Sequence, residues 1–145
     1  MHYRERVSPP LPVLLLTGVL VGSFGLILVP LSGELAAAVG LTLAILTGLV
    51  QYLTSPIVEI DGEWFRAGTA RIEGEYLGRV EVLDRTEVRK LMGTGADARA
   101  YVSHRDYAKG AVRVELRDPR DPAPYWLVSS GRAAELARAL EAIAG

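Results

Sequence analysis

The pattern of apolar positions divides the chain into two parts. Residues 7–33 carry no charged side chain, and neither do residues 35–58. Both stretches exceed the roughly 20 residues that a helix needs to cross the hydrocarbon core of a bilayer. The pattern therefore predicts a transmembrane helical hairpin over residues 11–54, with a short turn at Ser32 and Gly33.

A cleavable signal peptide is the alternative interpretation of the first apolar stretch. Arg4 and Arg6 precede it, and Ala36 and Ala38 have the spacing of a cleavage site. However, residues 11–31 are longer than the h-region of a signal peptide, which has about 7 to 15 residues. A second apolar stretch also follows the supposed cleavage site, so two membrane spans are favoured.

The distribution of basic residues predicts the orientation of the hairpin. Arg4 and Arg6 precede the first span, residues 30–34 contain neither Lys nor Arg, and Arg66 and Arg71 follow the second span. Because basic flanks tend to stay on the cytoplasmic side, both termini are expected in the cytoplasm. The expected location is the plasma membrane, with the lipid bilayer as a partner.

Small residues recur every four positions in both spans, at Gly18 and Gly22 in the first and at Gly40, Ala44 and Gly48 in the second. This spacing places them on one helix face and allows close packing of two helices, although glycine is also simply frequent in membrane helices. Neither span has an ionisable residue in its interior, which favours an anchoring role over transport.

Alternating apolar and polar residues after Pro56 predict a small β domain. Two strand-like runs, residues 57–60 and 63–66, flank Asp61-Gly62, a strong β-hairpin signal. Further strands are predicted at residues 70–72, 80–83, 100–104 and 111–117. In the last of these, Val112, Val114 and Leu116 are expected to face the core, and Arg113, Glu115 and Arg117 to face water.

Two helices are predicted within this domain. Asp84 and Glu87 have the spacing of a capping box, so a helix should begin at Asp84, continue through Leu91 and end at Gly93. Residues 133–143 have an apolar face at helical spacing and should form a helix that closes the sheet. An interfacial membrane helix is the alternative for that segment, but its polar face has mixed charge and its apolar face lacks aromatics.

The segment from Asp118 to Ser130 contains two Asp-Pro pairs followed by an aromatic and aliphatic run. Proline stiffens the backbone, and each aspartate can accept a hydrogen bond from a following amide. The segment therefore predicts a rigid loop that leads into a strand and delivers two aromatics, Tyr125 and Trp126, into the core. A functional interpretation stays open beside it. In that interpretation Asp118, Asp121 and the exposed side of Tyr125 form a recognition edge that meets a partner or a neighbouring Arg99 or Arg105.

Composition excludes several classes of function. Lys and Arg total 16 and Asp and Glu total 17, so no nucleic-acid partner is expected. Cysteine is absent, which removes disulfides and thiolate metal sites. A triad of Ser103, His104 and Asp106 fails because neighbours on a strand point to opposite faces. We expect no enzymatic activity, no metal site and no cofactor.

Two resemblances add to this interpretation. The short strands and the closing helix resemble the pleckstrin-homology-like domains that bacteria attach to membrane hairpins. The residues that carry this resemblance are Val58-x-Ile60-Asp61-Gly62, Arg71-Ile72 and Leu77-x-x-Val80-Glu81-Val82.

Nearly the whole chain also resembles an uncharacterised actinobacterial membrane family, domain-of-unknown-function family 3093. That resemblance is carried by Met1-His-Tyr-Arg-Glu-Arg6, by Gly78 to Asp84 and by Asp118-Pro119-x-Asp121-Pro122-x-Pro124-Tyr125-Trp126, and it implies a membrane location without an established activity.

The sequence thus predicts an α+β membrane protein. Residues 1–10 are expected as a cytoplasmic segment, residues 11–54 as the hairpin, and residues 55–145 as a mostly antiparallel, pleckstrin-homology-like β domain closed by a C-terminal helix. The expected role is a non-catalytic interaction or scaffolding module with a membrane or cytoplasmic protein partner. The alternatives are a sensor that binds a lipid headgroup or small ligand, for which Arg66, Arg71 and Arg79 would have to converge, and an accessory subunit of a transporter.

Overall fold

The computed structural model describes residues 2–144. The chain forms two compact units. Residues 8–55 form a helical unit, whereas residues 2–7 together with residues 56–144 form an α+β unit. The predicted succession of two apolar helices, antiparallel sheets and a C-terminal helix is confirmed.

The helical unit contains two apolar helices. Helix α1 (Leu11–Gly22) continues as a 3-10 helix (Ser23–Leu28), and helix α2 (Gly33–Leu53) follows after a short turn. The Ser32 side chain accepts a hydrogen bond from the Leu35 amide and caps α2. Both helical segments are long and apolar enough to cross a membrane, with mean hydropathies of 2.3 and 1.8.

The two helices approach each other closely where both carry small residues. A Cβ atom added to Gly22 would lie 2.9 Å from the Gly40 carbonyl oxygen, and one added to Gly40 would lie 2.7 Å from the Gly22 carbonyl oxygen. At Gly18 the nearest neighbour is Ala44, at 3.8 Å. Gly48 lies outside this contact, because a Cβ there would have no described atom within 4 Å.

A polar contact also joins the two helices. The Gln51 side-chain amide donates a hydrogen bond of 2.7 Å to the Thr17 hydroxyl oxygen. The Thr17 hydroxyl in turn donates to the Val13 carbonyl oxygen at 2.9 Å. The polar side chains of Gln51 and Thr17 are therefore bonded to each other within the helical unit.

The α+β unit begins with an antiparallel sheet of four strands in the order β1-β2-β3-β4. Its strands are β1 (His2–Arg6), β2 (Ile57–Asp61), β3 (Trp64–Ala67) and β4 (Ala70–Glu73). The predicted hairpin between β2 and β3 is confirmed. Gly62 has φ of +61°, the left-handed conformation that such a tight turn requires.

Strand β1 was not predicted, because residues 1–10 were expected to form a separate segment. It pairs with β2 over its whole length, from His2 opposite Asp61 to Arg6 opposite Ile57. The Val7 amide extends the pairing with a hydrogen bond of 3.0 Å to the Pro56 carbonyl oxygen. The two residues that flank the helical unit in the sequence are therefore neighbours within the α+β unit.

The second sheet contains β5 (Leu77–Leu83), β6 (Tyr101–Ser103), β7 (Gly110–Leu116) and β8 (Tyr125–Ser130), in the order β5-β7-β8-β6. The pairing of β6 with β8 is parallel, and the other pairings are antiparallel. Helix α3 (Arg85–Met92) follows β5. The predicted capping box is confirmed, since Asp84 accepts from the Glu87 amide and Glu87 accepts from the Asp84 amide.

The main core lies between the two sheets and helix α4 (Ala133–Glu141). The Phe65 and Trp126 rings, one from each sheet, are 5.7 Å apart. Leu136 and Leu140 of α4 are fully buried in the same core. Because its apolar face packs inside the α+β unit, α4 closes the sheet as predicted and does not offer that face to a membrane surface.

Helix α3 covers the other face of the second sheet. Val88 packs there with Tyr125 and Leu127, which are both buried. Arg113 was expected to face water, but it is half-buried on this face. Its guanidinium lies 4.6 Å from the centre of the Tyr125 ring and 3.2 Å from the Glu81 carboxylate. The reason is α3, which turns an otherwise exposed sheet face into a second core.

We predict that Gly40→Leu separates α1 from α2, because a side chain at this position would collide with the Gly22 backbone. The full chain in detergent should then be cut faster by a protease within residues 8–55. Gly48→Leu is the matched control, since it adds the same side chain to the same helix in open space. Equal protease resistance of both variants would contradict this packing of α1 against α2.

Candidate functional site

The predicted Asp-Pro segment forms the loop between β7 and β8, and both of its carboxylates stabilise turns. Asp118 Oδ1 accepts a hydrogen bond from the Arg120 amide, and Asp121 Oδ1 accepts one from the Ala123 amide, each at 2.9 Å. The Arg120 guanidinium also lies 3.5 Å from Asp118. The proposed turn bonding of both aspartates is therefore present, and it uses one oxygen of each carboxylate.

Tyr125 and Arg99, which the recognition interpretation placed beside these aspartates, have other surroundings. The recognition interpretation required an exposed side of Tyr125, but this residue is only 6% exposed because α3 covers this part of β8. Tyr125 and Trp126 are both buried, as the rigid-loop interpretation predicts. Arg99 pairs with Asp97 at 3.0 Å, which lowers the pKa of Asp97 through the hydrogen bonds from Arg99. The Arg105 amide donates to the Ser129 hydroxyl oxygen at 2.9 Å. The structure therefore leaves the aspartates without the aromatic that the recognition interpretation assigned to them.

A polar cluster that the sequence did not reveal joins β1 to the end of β8. The Glu5 carboxylate accepts three hydrogen bonds, from the Tyr3 hydroxyl at 2.7 Å, the Ser130 hydroxyl at 2.5 Å and the Gly131 amide at 2.9 Å. The Arg132 guanidinium lies 5.0 Å from the centre of the Tyr3 ring. Glu5 lies before the helical unit in the sequence, whereas Ser130 lies near the end of the chain. The hydrogen bonds between them therefore hold β1 against the end of β8.

A second unpredicted contact involves His104. Its Nδ1 atom lies 2.8 Å from the Ser129 hydroxyl oxygen, and its Nε2 atom lies 3.2 Å from the Asp106 carboxylate. The partner is Ser129 rather than the neighbouring Ser103, because β6 and β8 run in parallel. Ser129 is only 1% exposed, so its hydroxyl is out of reach of a substrate. The arrangement orders the end of β6 but does not present a nucleophile.

Within residues 2–144, no group of three or more His, Cys, Asp or Glu side chains has an arrangement that could hold a metal ion.

The sequence model of the family described as "Protein of unknown function (DUF3093)" matches residues 2–140. The chain belongs to this family. No curated protein and no solved structure matches the chain. The match includes β1, both apolar helices and nearly all of the α+β unit, so the family comprises both units.

The Glu5 cluster makes a testable contribution to stability. Burial, reinforced by the Glu5 carboxylate, raises the pKa of the Tyr3 hydroxyl from 10.0 to about 12. The unfolded chain therefore releases this proton more readily than the folded chain, so the stabilisation is complete below about pH 10 and is lost as the pH rises towards about 12.

We predict that the free energy of unfolding of the α+β unit falls more steeply above about pH 10 in the parent chain than in a Tyr3→Phe variant. Phenylalanine cannot ionise, although it also loses the hydrogen bond to Glu5 and should be less stable at neutral pH. Urea denaturation at several alkaline pH values gives the two slopes. Parallel pH profiles would show that Tyr3 does not carry the shift.

Proposed function

We propose that this chain is a membrane-anchored, non-catalytic interaction module whose hairpin spans the plasma membrane, with both termini in the cytoplasm. The observation that carries the proposal is the pairing of β1 with β2, which lie before and after the helical unit in the sequence. Val7 and Pro56 are hydrogen-bonded, so the chain leaves and re-enters the α+β unit at neighbouring positions. With the helical unit inserted in a bilayer as proposed, this arrangement supports an even number of spans, in agreement with the distribution of Arg4, Arg6 and Arg66.

The exposed surface of the helical unit supports insertion in a bilayer. Leu16, Val19 and Leu41 are 68%, 71% and 64% exposed, and many other large apolar side chains of both helices are similarly open. A continuous apolar surface of this kind is unfavourable in water and favourable in lipid. The polar side chains that could oppose insertion are satisfied, as the pair of Gln51 and Thr17 illustrates.

The pleckstrin-homology-like assignment is part of this proposal. Two four-stranded sheets share one core, and a C-terminal helix packs into that core, as in the domains that the sequence resembles. The parallel pairing of β6 with β8 and the insertion of α3 after β5 are departures from a simple antiparallel meander. The actinobacterial origin implied by the resemblance stays a prediction.

A non-catalytic role is supported by the use of the candidate polar residues. Asp118 and Asp121 bond to the loop backbone, and the Ser129 hydroxyl is buried. The loop between β7 and β8 remains the proposed contact surface for a membrane or cytoplasmic protein, through its charges rather than through Tyr125. Arg120 contributes an exposed guanidinium to this loop, with 78% of its side chain exposed.

The lipid-headgroup alternative required three arginines to converge. Arg66 and Arg71 lie opposite each other on β3 and β4, and Arg71 stacks on Trp64 at 3.8 Å. Arg79 lies on the other sheet and pairs with Glu81 at 3.1 Å. Because Arg79 lies on a different sheet from Arg66 and Arg71, the interaction module is favoured over the lipid-headgroup alternative. A transporter subunit is also less favoured, because Gln51 already has a partner within the helical unit.

The membrane topology can be tested with reporter fusions. A reporter in the turn at Ser32 should be external and one after Gly145 cytoplasmic. A cytoplasmic reporter at Ser32 would overturn the two-span topology.

The pairing of β1 with β2 can be tested with engineered cysteines. Because the chain lacks cysteine, Arg4→Cys with Glu59→Cys adds a single pair at facing positions of β1 and β2. This pair should cross-link on oxidation, whereas the control pair Arg4→Cys with Arg71→Cys, on non-adjacent strands, should not.

The interaction role predicts a stoichiometric companion after gentle solubilisation of the full chain. Asp118→Asn with Asp121→Asn should keep the turn bonding and the melting temperature but lose the companion, because the charge of the loop is removed. Asp61→Asn with Glu63→Gln makes the same change in charge at the turn between β2 and β3 and should retain it. A chain that purifies without any companion would contradict the interaction role, and retention by both double variants would exclude this loop as the surface.

A further inference from the structure

A cavity of about 450 Å³ lies within the α+β unit, between α3 and residues 104–108. Its volume falls in the range of pockets that bind small molecules, which is roughly 300 to 1,000 Å³. The cavity is separate from the loop between β7 and β8 that we propose as a protein contact. Its walls combine two arginines, an ordered histidine and apolar side chains.

Among the described residues, no carboxylate pairs with either arginine. Arg85 is held by backbone oxygens, since its Nε atom donates to the Ala108 carbonyl oxygen at 3.2 Å and Nη2 donates to that of Tyr107 at 3.5 Å. The Arg89 guanidinium has no hydrogen-bond or ion-pair partner among residues 2–144. The two residues are four positions apart on α3, so their side chains lie on the same helix face.

Asp106 is the one acidic side chain among the described residues that line this cavity. Its carboxylate lies 3.2 Å from His104 Nε2, and the other ring nitrogen of His104 is held by Ser129 at 2.8 Å. Asp106 is thus engaged at the histidine rather than at either arginine. Two guanidinium groups against one carboxylate leave the cavity with a positive balance, which favours an anionic ligand.

The apolar part of the wall argues for an organic ligand rather than a bare inorganic anion. Met92 presents an apolar surface at the cavity, with 44% of its surface exposed, and the largely buried Val88 and Ala108 lie beside it. Methionine is a flexible side chain that adapts to apolar ligand groups of different shape. An inorganic phosphate would leave this surface uncovered.

We propose that this cavity binds an organic anion, whose phosphate or carboxylate group contacts Arg85 and Arg89 and whose apolar part packs against Met92. The planar guanidinium group matches both head groups and forms charge-assisted hydrogen bonds with them. Arg85 is already oriented by two carbonyl oxygens, which reduces the entropy lost on binding. The site does not depend on the proposed interaction with a protein, because it uses a different surface of the α+β unit.

The position of Met92 provides a direct measurement of binding. The chain contains two methionines, Met1 and Met92. Methyl-labelled methionine in the full chain, purified in detergent, therefore gives few NMR signals, and Met92→Leu identifies the one from the cavity. Phenyl phosphate and benzoate should shift the Met92 signal in a saturable way, with dissociation constants below about 10 mM. Phenol and inorganic phosphate, which each lack one half of the ligand, should bind more weakly.

Matched variants on the same helix separate this site from general charge attraction. Arg89→Gln should weaken the binding of phenyl phosphate by roughly tenfold or more, because it removes a charge-assisted contact. Lys90→Gln removes the same charge from the next residue, which lines a different depression beside Glu81 and Arg113, and should leave the affinity unchanged. Equal effects of the two variants, or no saturable shift of Met92 with either aromatic anion, would overturn the proposal.

The anion has two possible sources, a soluble metabolite and an anionic lipid, and the same signal distinguishes them. The full chain is placed in nanodiscs of zwitterionic lipid, with and without phosphatidic acid. A Met92 shift that depends on phosphatidic acid and disappears in Arg89→Gln would assign a lipid phosphate to the cavity. A shift caused by phenyl phosphate in both kinds of nanodisc, without a lipid effect, would assign a soluble organic anion. Absence of both shifts would overturn the proposal.

Discussion

The pairing of β1 with β2 is the constraint on which the rest of the structure depends. The strands lie on either side of residues 8–55 in the sequence, so their pairing closes a long loop, at an entropic cost that grows only slowly with loop length. Burial of Tyr3 and Val7 and the three hydrogen bonds to Glu5 offset that cost. Both connections to the helical unit are thereby fixed at one edge of the first sheet.

Much of the fold could be predicted because its signals are local. The turn at Asp61-Gly62 and the capping box of Asp84 and Glu87 each depend on residues a few positions apart. The two apolar helices are equally clear from composition alone. Strand β1 could not be predicted in this way. It is short, Tyr3 is its one buried apolar side chain, and its partner strand follows only after both helices.

The candidate site was less predictable for the same reason. Turn bonding by Asp118 and Asp121 follows from the Asp-Pro pairs and is present. The burial of Tyr125 depends on α3, and the contact between His104 and Ser129 depends on the parallel pairing of β6 and β8. Neither tertiary contact has a sequence signal near the residue concerned. The cavity beside α3 is predictable only in part. The spacing of Arg85 and Arg89 in the sequence places them on one helix face, but nothing in the sequence indicates that His104 lies near them.

The position of β1 has a consequence for the order of folding during synthesis. The ribosome produces β1 before α1 and α2, but β2 only after them, so β1 must wait without its partner while the apolar helices are made. Its other anchor, Ser130, is synthesised later still. The first sheet therefore cannot be completed until the helices have left the ribosome, and native β1 pairing marks a chain whose helical unit has already been made.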